Sequence, residues 1–141
     1  MNEKAYFAAG CFWGVQKAFD EVKGVIETTV GYMGGSVSNP TYKEVCGGQT
    51  GHAESIEVIY DPEVVDYENL LDKFLEIHDP TQINRQGPDV GHQYRSAIFY
   101  TTDEQKETAN NILDKLGESG KYERDIVTEV LPAEDFWRAE D

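Results

Sequence analysis

The sequence predicts an α+β fold, a two-layer α/β sandwich with helices packed on a mixed central sheet and long functional loops. Three observations carry this. Stretches of period 2, rich in β-branched and aromatic residues, alternate along the chain with stretches of period 3.6. Capping and turn residues mark the junctions. The 141 residues, 39% hydrophobic and 28% charged, suit a single domain spanning 1–141 with its own core.

Ala5 to Ala9 reads as a short buried strand. A helix follows, with Phe12, Val15, Phe19 and Val22 on one face, and Lys23-Gly24 stops it. Val25 to Tyr32 is a β-branched strand, with Ile26, Thr28, Val30 and Tyr32 sharing a face. A long Gly- and Pro-punctuated loop runs from Gly31 to Pro40, Thr41 to Cys46 forms one helical turn, and Gly47 to Gly51 is a second glycine-rich connection. His52 to Tyr60 is a clear strand that ends at Asp61-Pro62. Asp66 caps a helix whose stripe is Tyr67, Leu70, Leu71, Phe74, Leu75 and His78, and Asp79-Pro80 stops it. His78 on that stripe reads as a hydrogen-bonded packing residue. After a second long loop, Thr81 to Gln93, Ser96 to Tyr100 is a strand. Thr102 with Gln105 is a capping-box signature for a helix carrying Ala109, Ile112, Leu113 and Leu116. Ile126 to Leu131 is a last strand, and Phe136 and Trp137 dock on the body.

Charge narrows the function. With 27 acidic against 12 basic residues, the net charge of −15 repels nucleic acid and anionic lipid. No apolar run approaches the roughly 20 residues of a membrane span. The chemistry-bearing motif begins within a dozen residues of Met1, which leaves no room for a signal peptide, so a cytoplasmic location is expected. The two cysteines, Cys11 and Cys46, and three scattered histidines fit no zinc spacing, so no metal is expected.

The motif is Gly10-Cys11-Phe12-Trp13-Gly14. Its cysteine lies at a strand-to-helix turn, where unpaired N–H groups and the helix dipole favour thiolate over thiol. Cys11 is therefore a candidate nucleophile, and the ordinary alternative is a small buried hydrophobe. Phe12 and Trp13 offer an apolar recognition surface, or plain core. Glu54 shares strand parity with Ile56, Val58 and Tyr60, which points it inward. A buried carboxyl stays protonated nearer neutrality and can act as a general acid. A solvated, frayed strand end is the alternative reading. Asp89 and Tyr94 lie on the second loop, where turn chemistry is the ordinary role for Asp89.

The motif resembles the signature of the peptide methionine sulfoxide reductase A family. The blocks Gly31-Tyr32-Met33-Gly34-Gly35, Asn39 to Cys46, Thr50 to Glu54, His78 to Gln82 and Gln93 to Ile98 look like that family's blocks, in its order, over nearly the whole chain. The resemblance implies thiol-dependent reduction of methionine S-sulfoxide, free or in proteins, to methionine, and so repair of oxidised proteins. It implies that Cys11 attacks the sulfoxide sulfur and Glu54 protonates the oxygen. Tyr42 and Tyr94 would bind that oxygen, Phe12 and Trp13 would hold the methyl group, and Asp89 would line the site. It implies no bound cofactor, a thioredoxin or glutaredoxin as external reductant, and a monomer. Cys11 would be left as a sulfenic acid that a second thiol converts to a disulfide. Many members of that family carry a C-terminal tail with one or two resolving cysteines; the sequence stops at Asp141, where such a tail would begin, so either the protein has none or the tail lies beyond these residues. Cys46 would then either resolve Cys11 or, in the commoner role of a free cysteine, pack in the interior. Two further functions fit the same residues: a binder of oxidised-methionine peptides without turnover, and a thiol peroxidase.

Overall fold

Strand β1 (Glu3–Ala9) is buried on both faces, and this places it inside the sheet. Its odd residues Ala5, Phe7 and Ala9 enter one core cluster, and Tyr6 and Ala8 enter another. The protein is described by a computed structural model covering residues 2–47 and 50–139. Met1, the expected Gly48–Gln49 part of the glycine-rich connection, and the terminal Glu140–Asp141 lie outside the described residues.

The elements continue with α1 (Phe12–Asp20), β2 (Val25–Met33), α2 (Tyr42–Cys46), β3 (Ala53–Tyr60) and α3 (Tyr67–Glu76). A two-rung hairpin, β4 (Arg85–Gln86) and β5 (Asp89–Val90), is followed by a 3-10 turn over His92–Tyr94. Then come β6 (Ser96–Tyr100), α4 (Asp103–Glu118), β7 (Glu129–Pro132) and β8 (Trp137–Arg138). Six strands form one sheet in the order β7-β6-β1-β3-β2-β8. Only the β6–β7 pair is parallel, and every other neighbour is antiparallel, so the sheet is mixed as expected.

Helices α1, α3 and α4 cover one face. Val15, Phe19, Leu70, Leu71, Phe74 and Ala109 pack there on Phe7, Ile56, Val58 and Ile98. Burial of a side chain such as Phe74 is worth roughly 1.5–3 kcal/mol, so this layer dominates the stability. On the opposite face Met33, Ala53, Ala97 and Phe99 pack with Tyr6 and Ala8 under Leu131, Ala133 and Phe136. Met33 is fully buried there, with 0% of its surface exposed.

The caps form as the sequence implies. Asp66 accepts from Asn69 N at 2.8 Å, and Thr102 accepts from Gln105 N at 3.1 Å. Gln105 reaches back one residue further than a standard capping box, accepting from Thr101 N at 2.8 Å. His78 is a packing histidine: Nδ1–H donates to Phe74 O at 2.6 Å, and Nε2 accepts from the Ser96 hydroxyl at 2.7 Å. The Phe74 carbonyl can only accept, which fixes this tautomer.

The structure departs from expectation in four places. Ile26 does not share the buried face of Val30 and Tyr32. A bulge between Val25 and Glu27 turns it out to solvent. The last long strand begins at Glu129 rather than Ile126, because Val127 N is already bonded to Pro80 O at 2.8 Å. The hairpin at 85–90 lies within a stretch expected to be loop. Trp137 does more than dock: it pairs with Tyr32 as part of edge strand β8.

Candidate active site

Cys11 is the N-cap of α1, with φ −59° and ψ 119°, and its side chain is exposed. The chain reaches it through Gly10, whose φ of +94° belongs to glycine. A Cβ on Gly10 would stand 2.9 Å from Gln86 Cβ and Cγ, so the β4–β5 hairpin approaches this turn as closely as a glycine allows.

The first N–H of α1 is spent on the acid. Phe12 N donates to Glu54 Oε1 at 3.3 Å. Glu54 is 1% exposed, on the helix-covered face of β3, as strand parity implied. Its other oxygen, Oε2, is buried with no hydrogen-bond partner among the described residues. Burial raises the Glu54 pKa from 4.5 to about 7; the Phe12 N–H opposes the rise and the Asp89 charge adds to it. A bare carboxylate oxygen in such a place is costly, whereas a protonated one is a donor awaiting an acceptor.

Two phenols face this carboxyl. The Tyr42 hydroxyl is hydrogen-bonded to Cys46 and to Tyr94, and both contacts, with the Glu54 charge, push its pKa up. Burial and the Glu54 charge push the Tyr94 hydroxyl up as well. Both phenols therefore stay protonated donors at any working pH. Tyr42 is held by a full capping box at the head of α2: Glu44 N donates to Thr41 Oγ1, and Thr41 N donates to Glu44 Oε1 at 3.0 Å. Tyr94 sits on the 3-10 turn, which Arg95 ties down by donating to His92 O at 3.2 Å and to Glu129 Oε1 at 2.9 Å. His52 fixes the loop before α2: Nδ1 accepts from Gly35 N at 2.9 Å, and Nε2–H donates to Val37 O at 2.7 Å.

The aromatics divide their work. Phe12 is 1% exposed and packs with Val30, Tyr32 and Val45. Trp13, at 57% exposed, meets its edge with ring centroids 5.1 Å apart. Tyr42 stacks on Phe12 at 6.3 Å. The apolar wall that solvent can reach is thus Trp13 and the Tyr42 ring.

The structure brings Cys11, Phe12, Trp13, Tyr42, Glu54, Asp89 and Tyr94 to one end of the helix-covered face. Among the described residues no cluster of three His, Cys, Asp or Glu offers a metal site. Cys46, expected to pack in the interior, is exposed instead. It ends the short helix that Tyr42 begins, four residues on, so its side chain returns to the Tyr42 hydroxyl rather than entering the core. That spacing is a signal the sequence carried. Gln86 carried none, since only the folded hairpin shows what it touches.

Comparison with known proteins places the chain. A family model described as peptide methionine sulfoxide reductase matches residues 3–141. The chain is 59% identical over 139 residues to the peptide methionine sulfoxide reductase MsrA of Methanothermobacter thermautotrophicus, covering 99% of this chain and 82% of that one. It is 58% identical to the protein of the same name from Methanoculleus marisnigri, covering 99% and 85%. Reduced Mxr1 from Saccharomyces cerevisiae superimposes with a TM-score of 0.92 at 35% identity, over 99% of this chain and 81% of that one. The shared fold, the length of the match and these identities lead to one conclusion: the chain belongs to the peptide methionine sulfoxide reductase (MsrA) family.

Proposed function

We propose that the protein reduces methionine S-sulfoxide, free or within proteins, with Cys11 as nucleophile and Glu54 as general acid. The observation that carries this reading is the single N–H between them. The residue after the thiol binds the carboxyl that must supply the proton.

A sulfoxide seated between Trp13 and the phenols presents its sulfur to Cys11 and its oxygen to Glu54. Phe12 backs the methyl subsite, and Asp89 lines the site near Glu54. The Cys11 sulfur attacks the sulfoxide sulfur while Glu54 gives its proton to the oxygen, a poor leaving group until protonated. Tyr42 and Tyr94 donate to the same oxygen as charge gathers there. The oxygen passes to Cys11, which becomes a sulfenic acid, and methionine leaves. A thiol R–SH then condenses with the sulfenic acid to a disulfide and water, and a second thiol releases Cys11.

Thioredoxin or glutaredoxin fits the donor role, and yeast Mxr1, a protein of this fold, has been crystallised with Trx2. No helix among the described residues is long and apolar enough to cross a membrane. A cytoplasmic site of action is part of the proposal. A monomeric single catalytic domain with no bound cofactor completes the reading.

Single-turnover reaction with the separated epimers of a methionine sulfoxide tests it. The S epimer yields one methionine per Cys11, the R epimer yields none, and Cys11→Ser abolishes the product. Methionine from Cys11→Ser, or none from the parent with either epimer, overturns the reading.

A further inference from the structure

Gln86 has no part in the chemistry above, yet its side chain touches three pieces of the site's frame. Its amide forms a two-point clamp on the backbone of one residue just beyond α3: Asp79 N donates to Gln86 Oε1 at 2.9 Å, and Gln86 Nε2 donates to Asp79 O at 2.6 Å. Its methylene stem stands 2.9 Å from where a Cβ on Gly10 would be, beside the residue before Cys11. Its backbone pairs with Asp89 across the hairpin. We infer that Gln86 is a positioning residue, locking the Gly10–Cys11 turn and the Asp89 hairpin to the segment just beyond α3 as one rigid unit.

The inference rests on the proposed reaction for its kinetic consequence but not for its structural one. The hairpin is only two rungs long, and a two-stranded piece of that size does not hold itself in water. Its other supports are local: Gly91 N donates to Asn84 O at 2.9 Å, and Gly87 N donates to Gln82 Oε1 at 2.8 Å. Both lie within the loop. Thr81 and Gln82 tie the start of the loop to Asp79, and Arg95 ties its end, but the Gln86 clamp is what joins the hairpin strand itself, beside the Gly10–Cys11 turn, to Asp79. Asp89 rides on the hairpin and faces Glu54. The other titratable groups around Glu54 are Tyr42 from α2 and Tyr94 from the 3-10 turn, with Cys46 hydrogen-bonded to Tyr42 behind them; Cys11 is the residue before the Phe12 N–H that Glu54 accepts. Loosening the hairpin withdraws Asp89 and admits water while leaving the two tyrosines in place.

The test is Gln86→Met, which keeps the stem and removes both amide contacts. Hydrogen exchange followed by mass spectrometry should show faster exchange in 84–91 and also in 9–13, with β3 unchanged. The single-turnover rate should fall roughly 10- to 100-fold, the scale of a misplaced reacting group. The alkaline limb of its pH profile should move to lower pH, a shift that a simple loss of stability does not produce. Exchange that rises in 84–91 alone, or an unmoved limb, overturns the inference. So does a rate within twofold of the parent. If Gln86→Met does not fold, Gln86→Asn, with its amide one methylene short of the clamp, carries the same test. Failure of the proposed reaction would appear instead as no methionine from the parent, with the exchange result still readable.

Discussion

Glu54→Gln is the sharpest perturbation available, because the structure sets its size in advance. At an ordinary pKa of 4.5 only about one Glu54 in 300 would hold a proton at pH 7, whereas at about 7 roughly half do. Burial, helped by the Asp89 charge, therefore raises the supply of acid roughly 100-fold at neutral pH. Measured relative to Glu54→Gln, the parent's single-turnover rate should fall tenfold per unit above pH 7, as the acid form disappears. Glu54→Gln should lose this limb and be slower at pH 7 by roughly 100- to 10,000-fold, the range of a general acid. Asp89→Asn removes one of the two causes raising the pKa and should shift the limb to lower pH without abolishing it. The assay is rapid-quench measurement of methionine formed from excess enzyme, between pH 5.5 and 9. A parent-to-variant rate ratio that stays flat to pH 8.5, or a Gln variant with the parent's rate, would refute the assignment of the proton to Glu54.

The same carboxyl should appear in stability. Glu54 binds its proton more tightly folded than unfolded, so it destabilises the fold as pH rises from 4.5 to about 7. His78 works in the opposite direction: burial lowers it from 6.5 to about 4, so it adds stability over that rise. Between pH 4.5 and 6.5 the two nearly cancel in the parent. Urea unfolding of Glu54→Gln should uncover a gain of roughly 3 kcal/mol from pH 4 to 6.5, the work of His78 alone. The aromatic pair should separate cleanly. Phe12→Ala costs roughly 3–5 kcal/mol of stability, whereas Trp13→Ala costs under roughly 1 kcal/mol and raises KM, measured by denaturant titration and steady-state kinetics. Gly31→Ala puts a methyl into the Trp137 carbonyl oxygen. It should detach β8, seen as faster hydrogen exchange at Ala139 N, which now donates to Val30 O at 2.9 Å.

The layers and the inward face of Glu54 were readable from spacing, since strand parity and helix periodicity report burial directly. Asp66 and Thr102 marked helix starts for an equally local reason. What escaped depends on contacts distant in sequence or on a single displaced residue. A bulge at Val25–Glu27 inverts Ile26, and no propensity marks it. The 85–90 hairpin has no strand pattern, because side chains of Gln82 and Gln86 stand in for a ladder. Cys46 misled through composition: free cysteines are usually buried, but a five-residue helix has little hidden face, and Val45 takes it. The site residues were named by motif, whereas their common hydrogen-bond frame appears only in three dimensions.

Met33 carries a consequence of its own. The sequence holds two methionines, and the one within the described residues has no surface exposed. Oxidants that damage thioethers elsewhere in the cell meet none at this position while the sheet is intact. A repair catalyst working amid oxidative stress thereby keeps its own interior out of the pool of lesions it mends. Its working life under peroxide is set by the fate of its thiols rather than by sulfoxide formation in its core.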